Sequence, residues 1–147
     1  MATAYSGATP RHFWIVAILS LLWNMVGAVD FTMSELGNLA WFEMMGLGAE
    51  ELAYVQSFPV WAVAAWAIGV WGSVAGSVLL LMRSRHAATA FLLSIVGAAS
   101  SFAYQFTADS PASMEGGAAM IMPIAIMTLI VAQWYYARRM AAIGVLR

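Results

Sequence analysis

The residues whose side chains could do chemistry lie deep inside long apolar stretches of this sequence. Trp23 and Asn24 are adjacent near the middle of one stretch, Trp71 and Ser73 lie near the middle of another, and Thr128 lies at a similar depth in the last. Flat indole faces together with an amide and hydroxyl groups could hold a sugar or another small neutral solute. The same residues could instead pack helices together. Because large aromatic side chains fill protein interiors more often than they bind ligands, we favour packing.

Two polar residues of the first stretch, Asn24 and Asp30, could each have a structural or a functional role. The Asn24 amide needs a hydrogen-bond partner in hydrocarbon, which predicts either a contact between helices worth about 0.6–2 kcal/mol or a contact to a ligand. Asp30 is the one acidic residue inside an apolar stretch, and an ionisable group within a membrane is a candidate for function. It shares a helix face with Trp23 and Gly27. It also lies about one turn from the end of the stretch, where the cost of a charge falls.

The rest of the sequence offers little for catalysis. It contains no Cys, and no nucleophile, base and orienting group lie at a plausible spacing. A Gly-rich phosphate loop and a basic nucleic-acid patch are both missing. We therefore expect a protein that is not an enzyme, with no cofactor and no nucleic-acid partner. Methionine thioethers can bind Cu(I), but no His or Cys accompanies this group, so we expect no metal site: Met33, Met44, Met45, Met114, Met120 and Met122.

Membrane-spanning helices must position these residues. Of the 147 residues, 63% are hydrophobic and 9% are charged, and the mean hydropathy is +0.83. A soluble domain carries about 25% charged residues, so lipid must cover much of this chain. About 20 apolar residues span a bilayer as a helix, and four stretches qualify. The sequence predicts one all-α domain over residues 1–147, an antiparallel bundle of four transmembrane helices at about 13–31, 59–82, 87–106 and 118–137.

The charges divide between the two sides of such a bundle. Every Arg falls on one side, and every acidic residue falls at or beyond the other. The positive-inside rule places the arginine side, and with it both termini, in the cytoplasm. A three-span or five-span model would destroy this division. The residues that define it are Arg11, Arg83, Arg85, Arg138, Arg139 and Arg147 on one side, and Asp30, Glu35, Glu43, Glu50, Glu51, Asp109 and Glu115 on the other.

The long connection between the first two predicted helices, at about 32–58, then lies outside the cell membrane. Residues 49–59 of the sequence, AEELAYVQSFP, predict a short helix that ends before Pro59. We expect this helix to lie in the membrane interface over the outer ends of the bundle.

Several short motifs occur together in a known kind of membrane protein: Trp23-Asn24 with Gly27, Pro59 with Trp61, Gly72 with Gly76, and Met122-Pro123. With the apolar runs around them, they cover most of the chain. In these motifs the chain resembles a family of small bacterial four-helix membrane proteins that are often labelled "sugar transporter". The resemblance implies a bacterial inner-membrane protein. If it also implies transport, Trp23, Asn24 and Trp71 are the residues expected to contact the solute.

Two functions fit these observations. The one we favour is an accessory or structural subunit of a membrane assembly or of a homo-oligomer, because small residues four positions apart, such as Gly69 and Ser73, let helices approach closely. The alternative is a small neutral-solute transporter or binding protein. One bundle of four helices leaves little room for a pathway, so a transporter would act as an oligomer. A cavity that touches Asn24 and is lined by Trp23 or Trp71 would favour transport.

Overall fold

The computed structural model describes residues 8–147, and the regular secondary structure of this part of the chain is all helical. Six α-helices are present, with one 3-10 turn at Ala112–Met114. The helices are α1 (Arg11–Glu35), α2 (Leu39–Met44), α3 (Ala49–Gln56), α4 (Val60–Leu81), α5 (Ala87–Thr107) and α6 (Ile121–Ala142). The predicted all-α class is confirmed.

Three of the helices are long and apolar enough to cross a membrane. The most apolar windows of α1, α4 and α5 have mean hydropathies of 1.8, 1.8 and 1.5. α6 has 22 residues, but polar, aromatic and charged side chains at 133–139 lower the hydropathy of its second half. Pro123 lies in the first turn of α6, where a missing N–H breaks no helical hydrogen bond. The helix therefore begins slightly later than the predicted stretch.

The four long helices alternate in direction. The start of α1, the end of α4, the start of α5 and the end of α6 meet in one buried apolar cluster: Phe13, Ala17, Leu80, Ala87, Phe91, Ala137 and Met140. At the opposite end, Phe31 of α1 meets Trp66 of α4 with ring centroids 4.9 Å apart. We call the end with Phe13 and Leu80 the arginine end, because the segments that meet there carry all six arginines. The opposite end, with α2, α3 and residues 108–120, is the acidic end.

α4 and α5 approach each other closely because glycines line their contact. A Cβ added at Gly97 would lie 2.6 Å from the carbonyl oxygen of Ala65 and 2.6 Å from the backbone nitrogen of Gly69. Across the same contact, the Ser94 hydroxyl donates a hydrogen bond to the carbonyl of Gly69. Small residues thus bring the two backbones together, as they do in membrane helix bundles.

Residues 143–147 fold back onto the turn between α4 and α5. Gly144, with a φ of +80°, reverses the chain after α6, and Val145 is fully buried in the apolar cluster of the arginine end. The Arg147 amide donates to the Arg83 carbonyl at 2.7 Å, and the Arg85 amide donates to the Arg147 carbonyl at 2.9 Å. This backbone pairing closes the arginine end of the bundle.

The connection that holds α2 and α3 covers the acidic end. α3 lies within the segment predicted to be a short helix, whereas α2 was not predicted. α2 begins where Asn38 caps it, since the Asn38 side chain accepts a hydrogen bond from the Trp41 amide at 3.1 Å. The two short helices share a small apolar cluster of Phe42, Leu52 and Val55.

Candidate functional site

Asn24 lies on the buried face of α1 and links three helices. Its side-chain nitrogen donates to the Ser73 carbonyl at 3.1 Å and to Ser77 Oγ at 2.8 Å, both on α4. It also donates to Gln133 Oε1 on α6 at 3.1 Å. An amide nitrogen has two hydrogens, so three acceptors share them. We call Asn24, Ser73, Ser77 and Gln133 the polar cluster.

The orientation of the Asn24 amide follows from its partners. A carbonyl can only accept, and Ser77 Oγ donates its own proton to the Ser73 carbonyl at 3.0 Å. Both groups on α4 therefore need the nitrogen of the amide. As a result, Asn24 Oδ1 has no protein donor and Gln133 Nε2 has no protein acceptor among residues 8–147. Both residues are largely buried, with 4% of Asn24 and 8% of Gln133 exposed, but neither of these two atoms is fully enclosed; within residues 8–147, the fully buried side-chain polar atom without a partner is the Tyr136 hydroxyl.

The polar cluster joins helices that are otherwise held by apolar contacts. Hydrogen bonds between helices in a membrane protein contribute about 0.6 kcal/mol on average and at most about 1.7 kcal/mol. The Ser73 hydroxyl donates within its own helix, to the Val70 carbonyl at 2.7 Å, so Ser73 contributes to the cluster through its carbonyl alone. The cluster can therefore fix the rotation of α1 and α6 against α4.

The structure brings together only part of the set of residues that the sequence singled out. Asn24 and Ser73 meet, whereas Trp23, Trp71 and Thr128 are exposed on the outer surface of the bundle. Trp23 is 37% exposed and Trp71 is 48% exposed. Neighbouring residues on a helix point about 100° apart, so a helix that turns Asn24 inward turns Trp23 outward.

Asp30 lies at the acidic end, away from the polar cluster. Its carboxylate accepts a hydrogen bond from the indole nitrogen of Trp41 at 2.9 Å. Since Trp41 belongs to α2, this contact ties the first short helix to the end of α1. The structure thus gives Asp30 a part in holding the connection in place.

Ser77 and Gln133 are members of the cluster that sequence reasoning did not select. Counting depth from the end of the apolar stretch places Gln133 near a membrane face, yet it lies at the level of Asn24. Two spacings could have revealed them. Ser77 follows Ser73 by one helical turn, and the buried residues of α6 recur every three or four positions: Ile130, Gln133, Ala137 and Met140.

Glu51 joins the two connections that lie at the acidic end, the one that holds α2 and α3 and the one between α5 and α6. Its carboxylate accepts from the Gly48 amide at 2.7 Å and from the Ser113 hydroxyl in the 3-10 turn. The hydrogen bond from Ser113, followed by that from Gly48, lowers the pKa of Glu51 below its ordinary value of 4.5. No group of three or more His, Asp or Glu side chains in residues 8–147 is placed to hold a metal ion.

Two shallow grooves lie at the arginine end. One has a volume of about 320 Å³ and is lined by Leu79, Met82, Arg83, Ser84 and Arg147. The other has a volume of about 340 Å³ and is lined by Trp134, Tyr135, Arg138 and Arg139. Neither groove includes a residue of the polar cluster.

No protein-family model matches this chain, and no curated protein or solved structure matches it either. The resemblance to the proteins labelled "sugar transporter" therefore stays a prediction. Function has to be argued from the polar cluster, the exposed surfaces and the distribution of charge.

Proposed function

We propose that this chain is an integral protein of the bacterial inner membrane with four spans and both termini in the cytoplasm. α6 is the fourth span, because it is as long as α4, at 22 residues, and runs antiparallel beside α5. The arginines at one end favour the cytoplasmic side for that end. The connection that carries α2 and α3 then lies on the outer side, over the ends of the bundle.

This topology can be tested because the native sequence has no Cys. Single cysteines at Ser84, Glu115 and Ala142 would be exposed to a membrane-impermeant maleimide in intact spheroplasts. We expect Glu115→Cys to be labelled at once, and Ser84→Cys and Ala142→Cys to be labelled only after permeabilisation. Labelling of Ala142→Cys together with Glu115→Cys would show that α6 does not cross the membrane. Immediate labelling of Ser84→Cys would reverse the orientation.

We further propose that the protein acts as a non-enzymatic accessory or structural subunit, through its membrane-embedded surface. The observation that carries this proposal is the outward position of its large deep side chains. Trp23 and Trp71 face away from the bundle, while the buried faces of α4 and α5 consist mainly of small residues. The Asn24 nitrogen is engaged by α4 and α6. The deep aromatic residues are therefore available to lipid or to another chain.

The open surface is widest along α1 and α6, because α4 and α5 each lie between two neighbours. In α6 the buried residues begin only at Ile130, so the first half of the helix is only partly packed. On α1, exposed apolar residues recur at alternating intervals of three and four, the spacing that forms a seam between two helices packed side by side: Ile15, Ile18, Leu22, Met25 and Val29. This seam is the surface we assign to a second copy or to a larger assembly.

Photo-crosslinking in native membranes tests this assignment. Benzoylphenylalanine at Leu22, which is 60% exposed on the α1 seam, is compared with the same group at Leu93, which is 56% exposed on α5. We expect a discrete protein adduct from position 22 and mainly lipid adducts from position 93. Mass spectrometry of the adduct shows whether the partner is another copy or a different chain. Lipid adducts alone at both positions would reject the subunit proposal.

A small neutral-solute site is the second candidate function, and one observation favours it. Asn24 Oδ1 and Gln133 Nε2, an acceptor and a donor, lack protein partners within residues 8–147, and a hydroxyl group can bond to both. The test is uptake of a labelled sugar by proteoliposomes above the level of empty liposomes. Asn24→Ala should abolish that uptake, while Thr128→Ala, on the exposed face of α6, should leave it unchanged. Normal uptake by Asn24→Ala would reject the site.

A further inference from the structure

The groove lined by Arg83, Ser84 and Arg147 differs from the other groove in how it is built. The second groove is formed by side chains of α6 alone, and there the guanidinium of Arg138 already lies over the Trp134 ring, 5.0 Å from its centroid. The first groove lies between the end of α4, the following turn and residues 143–147. Backbone hydrogen bonds of Arg147 with Arg83 and with Arg85 fix the separation of its two walls.

Arg83 adopts a backbone conformation that favours glycine. Its φ is +58°, in the left-handed region. The amide of Ser84 donates to the Leu79 carbonyl, as expected for the residue after such a helix end. The equivalent end of α6 uses Gly144 at the left-handed position. The chain therefore places a long cationic side chain where its other helix end places glycine, which points to a use for that side chain.

Within residues 8–147, the Arg83 side chain is held by one hydrogen bond and keeps further N–H donors free. Its Nε donates to the Val145 carbonyl at 3.1 Å. A guanidinium carries five N–H groups, so four remain for an acceptor in the groove. Arg147 is held by its backbone, and Ser84, which lines the same groove, adds a hydroxyl donor.

We propose that this groove binds the phosphate of an anionic phospholipid, with the acyl chains against Leu79 and Met82. The proposal rests on the membrane topology given above, which places the groove at the headgroup level of one leaflet. Two arginines and a serine that line one groove supply donors that suit a phosphodiester, and basic grooves between helices at the cytoplasmic side bind anionic headgroups. All seven acidic residues belong to α1, α2, α3 or the connections of the acidic end. Their carboxylates therefore do not compete for these arginines.

The apolar residues that line the groove, Leu79 and Met82, favour a lipid over a free phosphate ester as the ligand. Met82 is 70% exposed beside the two arginines, and a soluble anion gains nothing from that thioether side chain. A phospholipid gains burial of its first acyl carbons in addition to the charged contacts. The groove therefore favours an amphipathic ligand over inorganic phosphate.

Native mass spectrometry of the protein in mild detergent tests the proposal. The protein is titrated with phosphatidylglycerol or with phosphatidylcholine, and Arg147→Gln is the main variant. Arg147 contributes its backbone to the fold, so this substitution leaves the chain pairing intact. Arg11→Gln, which removes a charge at the same end but outside the groove, is the matched control. Arg83→Gln is a second variant, whose fold is checked by circular dichroism.

We expect phosphatidylglycerol to bind about tenfold more tightly than phosphatidylcholine, and Arg147→Gln to weaken it about five- to tenfold. Arg11→Gln should change the affinity less than twofold. Equal binding of the two lipids, or equal effects of Arg147→Gln and Arg11→Gln, would overturn the proposal. Displacement of the lipid by millimolar inorganic phosphate would identify a soluble phosphate ligand instead. The lipid titration in detergent does not depend on which side of the membrane the groove faces. A negative result here would therefore reject the lipid site without bearing on the topology, which the cysteine labelling tests.

Discussion

Replacing Gly97 by Ala tests whether the close approach of α4 and α5 organises the bundle. The added methyl carbon would lie 2.6 Å from the Ala65 carbonyl oxygen and from the Gly69 nitrogen, whereas ordinary contacts begin at 3.4 Å. Both atoms belong to the backbone of α4 and cannot rotate away. The two helices must therefore part locally by about 0.8 Å, the difference between these two distances.

The size of the effect follows from three contributions. An extra methyl group in a tightly packed contact costs about 1–3 kcal/mol. Separation of the helices also weakens the hydrogen bond from Ser94 to the Gly69 carbonyl, a bond worth about 0.6–1.7 kcal/mol. Alanine regains about 1 kcal/mol over glycine through helix propensity. We therefore expect the free energy of unfolding of Gly97→Ala to fall by about 1–3 kcal/mol.

Gly27→Ala is the matched control, because a Cβ at Gly27 would meet nothing within 4 Å. It should leave the free energy of unfolding unchanged or raise it by up to about 1 kcal/mol. The assay is equilibrium unfolding in mixed micelles with a rising fraction of sodium dodecyl sulfate, followed by circular dichroism and tryptophan fluorescence. A Gly97→Ala protein as stable as Gly27→Ala would refute the claim that backbone contact limits the α4–α5 distance.

Three further perturbations address other parts of the chain. Asn24→Leu should lower the free energy of unfolding by about 1–3 kcal/mol in the same assay, because Gln133 Oε1 loses its donor and Ser77 Oγ loses the hydrogen bond that it accepts. An unchanged unfolding midpoint would contradict the polar cluster. Gly144→Ala should cost about 1–2 kcal/mol at its positive φ and increase hydrogen exchange at the buried Val145 amide. Unchanged protection of that amide would argue against the fold-back. Because hydrogen bonds lower the pKa of Glu51 below 4.5, the Glu51–Ser113 contact is at full strength above pH 4.5 and is lost as the pH falls through the lowered pKa. Exchange protection of residues 108–120 should drop in that range, and Glu51→Gln should remove the pH dependence; a drop that persists in the variant would assign it to another group.

Much of the fold can be predicted from the sequence because its signals are local. Long apolar stretches separated by arginines or turn residues predict the helices, and the four observed long helices begin and end within a few residues of those stretches. α2 was missed because it has six residues in a segment of mixed polarity. Its signal is a single cap at Asn38, which is weak without the packing of Phe42 and Leu52 that stabilises the helix.

The polar cluster could be predicted only in part, because hydropathy does not reveal which way a helix faces. Asn24 stands out as an amide in an apolar run, but α1 is apolar on all sides, so the sequence does not show whether Trp23 or Asn24 points inward. On α4, the glycine contact with α5 determines which face of the helix is buried. Its face with Gly69 and Ser73 is buried, which turns Trp71 to the surface.

Different contacts hold α1 and α6 together at the two ends of the bundle, and this difference determines where these two helices can separate. At the arginine end, α1 and α6 share an apolar cluster that residues 143–147 seal through backbone hydrogen bonds. The polar cluster is the next link between these helices, through Asn24 and Gln133. Beyond it, towards the acidic end, α6 has no buried residue before Ile130. A separation of α1 from α6 would therefore start at the acidic end and stop at the polar cluster, where Asn24 Oδ1 and Gln133 Nε2 still lack protein partners. A hydroxyl group of a bound sugar that enters between α1 and α6 at this depth would satisfy both groups. Uptake by Asn24→Ala therefore examines the inner face of α1, whereas crosslinking at Leu22 examines the opposite, exposed face.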